Sequence, residues 1–371
     1  MKHITVLVSN DLQHDQRVAK VCGTLRDLGF DLTLVGRELP NSPAYVGPFS
    51  VVRFRLLFQR GVLFYLALNF RLFCYLLFKR TDIILANDLD TLLPAFLVSK
   101  LRGKELVYDS HEYFTEAEGL TGRPFQKGVW LNLERWIFPK LKHVITVNES
   151  IASIYRELYK VKVHVVRNVP KQVDSVKQSQ PTRSALELPV DKTIVLLQGS
   201  YIDPDRGGME LVQAFQHLPN ALLLVIGSGR DYHNMQLVGK NLALTNVRFM
   251  GRMDYDRLQQ YTAVADIGVS LDKPIHLNYK YSLPNKLFDY IHAGIPVLVS
   301  DLPELRKIVE AYHVGEIVDR IEPFNIAQAI LNMSNQNRQM VWRKNTKLAQ
   351  SELNWQKEST VLKEIYSPLL K

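Results

Sequence analysis

An α/β protein built from two tandem parallel sheets is what this sequence predicts, on three observations. Short apolar strands alternate with helix-period segments along nearly all of the 371 residues, a polar stretch at 170–185 interrupts the alternation once, and the alternation then restarts. The strands are continuous apolar runs, the pattern of a parallel sheet covered on both faces.

In the first half, ITVLVS at 4–9 is a strand, 17–28 has helical periodicity closed by Gly29, and DLTLV at 31–35 is a strand again. Together they make a βαβ unit. Strands follow at 83–86 (IILA), 105–109 (ELVYD), 143–147 (HVITV) and 163–166 (VHVV), with helices near 91–101 and 126–138. PKQVDSVKQSQPTRSA at 170–185 is the least apolar window and the expected linker, so the predicted domains are 1–175 and 186–349. The second carries strands at 193–198, 221–226, 247–250, 267–270, 296–300 and 316–318. The last segment, about 341–371, is helical in pattern and has no strand left to serve. Its Trp342, Trp355 and Tyr366 are available to anchor it. No short-period repeat is visible, which argues against solenoids and propellers.

A hydrophobic fraction of 46% with 22% charged residues suits a globular α/β chain and excludes a largely disordered, collagen-like or disulfide-scaffold protein. The two cysteines, Cys22 and Cys74, lie in apolar helical patterns, so neither a disulfide framework nor a cysteine zinc site is expected. A reducing cytoplasm fits, and the N-terminus enters a strand without a secretory signal. The net charge of +9 is uneven: residues 1–180 hold 25 Lys and Arg against 17 Asp and Glu, and the remainder 21 against 20. The excess favours an anionic partner for the first half, a solvated basic face being the plain alternative.

VLFYLALNFRLFCYLLF at 62–78 needs separate treatment. It is flanked by Arg53, Arg55 and Arg60 before and Lys79 and Arg80 after. Its 17 residues are at the lower limit for a membrane span, and Arg71 near the middle costs on the order of 3 kcal/mol in that setting. The remaining readings are a helix packed on the first sheet and a helix at an anionic membrane interface, and one helix can do both.

In doubly wound sheets ligands bind beyond the carboxyl ends of the strands. After 4–9 come Asn10, Asp11, His14, Asp15 and Arg17; after 83–86 come Asn87, Asp88 and Asp90; after 105–109 come Ser110, His111 and Glu112. The second half gives Gln198, Gly199 and Ser200, then Gly227-Ser228-Gly229, then Gly251-Arg252-Met253. The first strand-to-helix turn lacks G-x-G-x-x-G, so a nicotinamide dehydrogenase loses its main support. Gly227-Ser228-Gly229 matches half of that fingerprint and reads first as a tight turn. A stronger phosphate signal is QGSYIDPDRGGMELVQAF at 198–215, where Arg206-Gly207-Gly208 opens a helix and offers backbone N–H groups and a guanidinium to an anion. In YSLPNKLFDYIHAGIPVLVSDLPEL at 281–305, Pro284 suits a helix start and Gly294 its end. Lys286 and Asp289, three apart, share a face: either an ammonium for phosphate with a carboxylate for ribose, or a surface ion pair. Asp88-Leu89-Asp90 imitates a D-x-D metal motif, but so do 203–205 and 254–256, which reads as coincidence.

NDLQHDQRVAK, ANDLDTLLPA, YDSHEYF, LLQGSYIDPDRGG, VRFMGRM and SLPNKLFDYIHAGIPVLVSDLPEL, in this order and spacing, resemble bacterial glycosyltransferases of family 4. The resemblance implies the GT-B fold, with two Rossmann-like domains whose sheets face across a cleft and a C-terminal helix, 350–371, crossing back to the first. It implies a retaining, metal-independent transferase that needs no cofactor. The C-terminal domain would hold a nucleotide-diphosphate sugar and the N-terminal one an acceptor, lipid-linked or polysaccharide. Asp289 takes the place of the second carboxylate of the family's E-x7-E pattern, while Tyr281 stands where the first would be. Arg206 matches the cation set on the donor diphosphate. Ser200 replaces a companion Arg, which leaves Lys286 for the second positive charge. His111 matches the histidine that approaches the donor sugar. The catalytic candidates are therefore Arg206, Lys286 and His111. The donor-binding candidates are Gly199, Ser200, Gly207, Gly227, Arg252, Met253, Pro284, Asn285, Leu287 and Asp289. The acceptor side has Asp15, Arg17 and Asp88, and no metal ligands are expected.

A nucleotide-sugar epimerase on the same fold and a non-catalytic relative are the alternatives. A nucleic-acid partner is not expected, because the cations are scattered among Phe, Leu and Tyr and no recognised motif appears.

Overall fold

The computed structural model describes residues 1–13, 15–172 and 181–370. His14 and residues 173–180 of the expected linker lie outside the described residues. The chain divides into two compact units, Met1–Asn168 with Lys357–Lys371, and Val169–Gln356. The division falls just ahead of the polar segment because Val169 is fully buried in the second unit's core.

The first unit runs β1 (His3–Leu7), α1 (Gln16–Asp27), β2 (Asp31–Glu38), β3 (Ser50–Arg55), α2 (Gly61–Phe78), β4 (Ile83–Asn87), α3 (Leu89–Arg102), β5 (Glu105–Ser110), α4 (Pro124–Ile137), β6 (His143–Thr146), α5 (Glu149–Tyr159) and β7 (Val163–Val165). Among the described residues these strands form one parallel sheet in the order β3-β2-β1-β4-β5-β6-β7. The order reverses at β1, as doubly wound sheets do at their ligand-binding edge. β3 is the strand that the sequence reading omits. It is a half-exposed edge strand, and its two arginines break the apolar run that marks the others.

The second unit runs β8 (Thr193–Gly199), α6 (Gly208–Ala214), β9 (Ala221–Gly227), α7 (Tyr232–Asn241), β10 (Val247–Gly251), α8 (Tyr255–Val264), β11 (Ile267–Ser270), α9 (Leu277–Lys280), α10 (Asn285–His292), β12 (Val297–Ser300), α11 (Pro303–Tyr312), β13 (Gly315–Val318), α12 (Pro323–Met333) and α13 (Gln336–Glu352). Its sheet order is β10-β9-β8-β11-β12-β13, again parallel and reversing at its first strand. The side-chain period of two sends Ile194 and Leu196 of β8 into one apolar layer and Val195 and Leu197 into the other. Burial on both faces is why these strands read as unbroken apolar runs.

The last helix, α14 (Trp355–Leu370), returns to the first unit. There Glu358 accepts hydrogen bonds from the Arg167 backbone N–H and Nε, both at 2.7 Å, and Tyr366 packs edge-on to Phe30 with ring centroids 6.0 Å apart.

α2 has one buried stripe, Phe64, Leu68, Leu72 and Leu76, at the i, i+4 spacing of a single helix face. It packs on α3: Asn69 Nδ2 donates to the Asp90 carbonyl at 2.9 Å, and Arg102 Nη1 donates to the carbonyls of Leu76 and Lys79. Apart from Asn69 and Arg71 the rest of the helix is largely apolar too, and Val62, Leu63, Leu66, Phe70 and Phe78 are exposed.

Candidate active site

In the second unit, the carboxyl ends of β8 and β9 come together at glycines. Gly199 and Gly227 are opposite in register, and a Cβ on Gly227, whose φ is +148°, would lie 1.8 Å from the Gly199 carbonyl oxygen. Only glycine fits there. Ser228 Oγ donates to the Ser200 carbonyl at 3.0 Å, and the Ile202 N–H donates to the Ser228 carbonyl at 2.6 Å. The Gly-Ser-Gly motif therefore closes one loop onto another, which explains its glycines without a ligand.

The loop 203–207 turns against the end of β11. Gly207, at φ +68°, leaves no room for a Cβ beside the Leu271 carbonyl (2.4 Å), and the Asp205 carbonyl accepts from the Lys273 N–H at 2.9 Å. This apposition carries Arg206 to Asp272: Nη1 lies 3.1 Å from Oδ1, and the guanidinium stacks 4.2 Å above the Tyr279 ring centroid. Asp272 is fully buried, and neither its Oδ2 nor Arg206 Nε has a hydrogen-bond partner.

Lys286 enters the same group from α10. Pro284 caps that helix with extended backbone and Asn285 is its exposed first residue, so Lys286 is in the first turn, where no acidic residue occurs. A helix N-terminus disfavours a cation, so an ammonium held there marks a place for an anion. Burial pulls its pKa below the ordinary lysine value, Asp272 partly restores it, and Arg206 lowers it further. Lys286 makes no ion pair with Asp289 among the described residues. Asp289 instead accepts from Gln198 Nε2 at 3.1 Å and from the Tyr255 hydroxyl at 3.2 Å. Arg206 is thus bonded to one buried carboxylate, and Lys286, in the first turn of α10, lies within the field of both charges. Asp272 is the member of this group that sequence reasoning missed.

The other candidates in this unit divide by exposure. Ser200, Asn285 and Arg252 are exposed, and Met253 is half-buried against the core. Leu287 is a fully buried core residue, and its N–H donates to the Pro284 carbonyl at 3.1 Å. Its side chain supports the helix.

In the first unit, the ends of β4 and β5 assemble a second group. Asp88, at φ 60° and ψ 166°, occupies a backbone region almost reserved for glycine, a strain on the order of 1–3 kcal/mol that concentrates at functional positions. This places its carboxylate to accept the His111 N–H at 2.8 Å and to approach His111 Nδ1 at 3.4 Å. His111 Nε2 lies 3.1 Å from Asn87 Oδ1 and 3.7 Å from Asp109 Oδ2. Burial disfavours the charged imidazole, but Asp88 and Asp109 outweigh it and push the His111 pKa up to about 9. Asp90 is buried with Oδ1 unpartnered, and burial, then the nearby Asp88 charge, raises its carboxyl to about 7.

Two acceptor-side expectations take a structural turn here. Arg17 is buried and forks onto Asp109 (Nη2 to Oδ1 2.6 Å, Nε to Oδ2 3.1 Å), with Nη1 on the Val166 carbonyl, so its donors are engaged inside the unit. Asp15 caps α1, accepting from the Val18 N–H at 3.0 Å and from Asn10 Nδ2 at 2.7 Å. Both hold the scaffold around Asp88 and His111. Among the described residues no group of three or more His, Cys, Asp or Glu is arranged to hold a metal ion.

Two family models match this chain in succession: Glycosyltransferase Family 4 over residues 16–170 and Glycosyl transferases group 1 over 179–349. The chain belongs to the family 4, group 1 glycosyltransferases. This glycosyltransferase is 28% identical over 177 residues to a Bacillus subtilis protein described as a candidate teichuronic acid biosynthesis glycosyltransferase, TuaH. That match spans 47% of this chain and 43% of the relative, less than half the length of each. Among solved structures, sucrose-phosphate synthase from Thermosynechococcus elongatus superposes with a TM-score of 0.79 at 18% identity, covering 100% of this chain and 99% of that one. HepE from Anabaena, in complex with UDP-glucose, gives 0.73 at 15% identity, covering 99% and 100%. At these identities the likeness establishes the fold, which is GT-B.

Proposed function

We propose that this glycosyltransferase is a retaining, metal-independent hexosyltransferase. It moves a sugar from a nucleoside-diphosphate donor to a hydroxyl of a lipid-linked or polysaccharide acceptor, in cell-surface glycan synthesis at the cytoplasmic face of a membrane. The observation that carries this reading is the bond from Arg206 to the buried Asp272, with Lys286, in the first turn of α10, within the field of both charges. The similarity to proteins named for teichuronic acid synthesis and solved with UDP-glucose supports the glycan and the donor class.

Breaking the bond between the sugar's anomeric carbon and the diphosphate leaves an extra negative charge on the departing phosphate. Preorganised cations stabilise that charge in proportion to how much develops. Arg206, Lys286 and the N–H groups of the first turn of α10 supply this stabilisation. Asp289, at the far end of the same turn, takes the ribose hydroxyls. In a same-face reaction the departing phosphate oxygen lies beside the incoming hydroxyl and accepts its proton. The acceptor oxygen then bonds to the anomeric carbon, and a nucleoside diphosphate leaves. The first unit takes the acceptor at Asp88 and His111, with His111 in its charged form donating to a sugar hydroxyl.

The outward face of α2 suits a lipid-borne acceptor. Val62, Leu66 and Phe70 form an apolar stripe flanked by Arg60 on one side and Lys79 and Arg80 on the other. α2 is long and apolar enough to cross a bilayer, but its hydrogen bonds to α3 tie it to the unit, so it lies along an anionic surface.

Transfer from nucleotide sugars to a membrane extract, assayed in excess EDTA, tests the reading. Product with retained anomeric configuration is expected, with Arg206→Ala lowering turnover by about a hundredfold or more. Absolute dependence on an added divalent ion would refute the metal-independent mechanism, and isomerisation of the nucleotide sugar without any acceptor would favour an epimerase.

A further inference from the structure

Besides the groups at the carboxyl ends of its strands, the first unit has a cavity of about 240 Å³ at the opposite end of the sheet, where α3 ends, β5 begins and the 138–140 turn leads into β6. Phe96, Leu106 and Leu141 form its apolar floor, all buried. Its rim is made of Lys100, Lys104, Lys140 and Lys142, with Glu105 as the one carboxylate in the lining.

Two of these lysines are partly compensated: Lys142 Nζ is 3.6 Å from Glu105, and Lys104 Nζ is 3.7 Å from Asp82 outside the lining. Lys100 and Lys140 have no carboxylate partner among the described residues. Instead both lie over the same Phe96 ring, at 5.6 and 5.8 Å from its centroid, and Lys140 is also 4.7 Å from Trp136. Stacking on aromatic rings holds the two ammonium groups in place without cancelling their mutual repulsion. Lysines near the end of α3 do offset its C-terminal dipole, but that dipole amounts to about half a charge, which one of them satisfies. The remaining excess is an arrangement that an anion would complete.

We infer that this cavity binds a phosphate-bearing anion. The site is independent of the donor-binding group and does not rest on the proposed transfer reaction. Soluble phosphate esters and lipid headgroups share the chemistry it recognises. The surroundings suit a headgroup: Leu101 on α3 is 68% exposed and Phe78, at the end of α2, is 79% exposed, and Arg102 ties these two helix ends together.

The test has two arms on the full chain. In one, glycerol 3-phosphate is titrated into protein whose lysines carry 13C-dimethyl groups, which keep their charge, and the Lys100 and Lys140 resonances are followed. In the other, flotation with phosphatidylcholine vesicles with and without phosphatidylglycerol is measured. The expected result is saturable binding in at least one arm, weakened about tenfold or more by Lys100→Ala with Lys140→Ala, and unchanged by Lys344→Ala with Lys347→Ala, which removes the same net charge from α13. Binding in the vesicle arm alone identifies a lipid headgroup, and in the soluble arm alone a free phosphate ester. No binding in either arm, or equal loss in both double variants, overturns the site. All four lysines are rim or surface side chains, and unchanged thermal melting confirms that each variant is folded.

Discussion

Asp272 is the residue on which the donor-side group turns. It is a buried carboxylate facing two cations, and taking away one partner of such a cluster costs about 3 kcal/mol because the others stay desolvated and unpaired. Asp272→Asn is therefore expected to lower the melting temperature of the free protein. A nucleoside diphosphate supplies the missing negative charge, so its stabilising shift should be larger in the variant than in the wild type; equal shifts would show that the ligand does not meet these cations. Asp90 gives a second residue-scale expectation. Its carboxyl is raised to about 7 in the folded chain and ionises near 4 when unfolded, so wild-type stability contributed by its neutral form is lost as pH rises through that interval. The melting-temperature advantage of Asp90→Asn should grow from pH 4 to 7 and level off above 7; a constant difference would contradict the burial of that group. Arg206, Lys286 and His111 stand out as candidates in the sequence because they lie in motifs at helix or strand ends. Asp272 was not, since one acid after a strand looks like any loop carboxylate until the turn of loop 203–207 is known. Arg17 and Asp15 were legible as polar residues near the site, but only coordinates separate a buried fork onto Asp109 or a helix cap from a ligand contact.

Among the elements, α2 is where the sequence came closest without deciding. Its apolar composition and the arginines around it left packed and interfacial readings both open, because a helix apolar on every side has no periodicity to name its inner face. The structure names it as Phe64, Leu68, Leu72 and Leu76. Two substitutions should then separate cleanly. Leu68→Ala on the inner face should cost about 2–5 kcal/mol of stability, while Leu66→Glu with Phe70→Glu on the outer face should leave melting nearly unchanged and weaken flotation with anionic vesicles. Flotation undiminished by the double substitution would remove α2 from the proposed membrane contact. β3 shows the opposite limit: an edge strand covered on one side carries arginines and loses the apolar run on which strand recognition depends.

For the whole molecule, the alternation of strands and helices already carried the two parallel sheets, since their central strands are buried and therefore largely apolar. The local pattern of α14 shows only a helix with aromatic anchors, and its return to the first unit was expected from the family resemblance alone. Its destination depends on Glu358 meeting Arg167 and Tyr366 meeting Phe30, contacts across most of the chain's length that no local pattern encodes. The family gives the chemistry its class, and the central claim is narrower: Arg206 and Lys286 hold the donor's diphosphate. Equilibrium binding of uridine, guanosine, adenosine, cytidine and deoxythymidine diphosphates, each beside its nucleoside, tests it most directly. One diphosphate should bind far more tightly than its nucleoside, and Arg206→Ala or Lys286→Ala should weaken it about ten- to a hundredfold while leaving the nucleoside's own affinity unchanged. Diphosphate affinity that survives both substitutions intact would contradict the account.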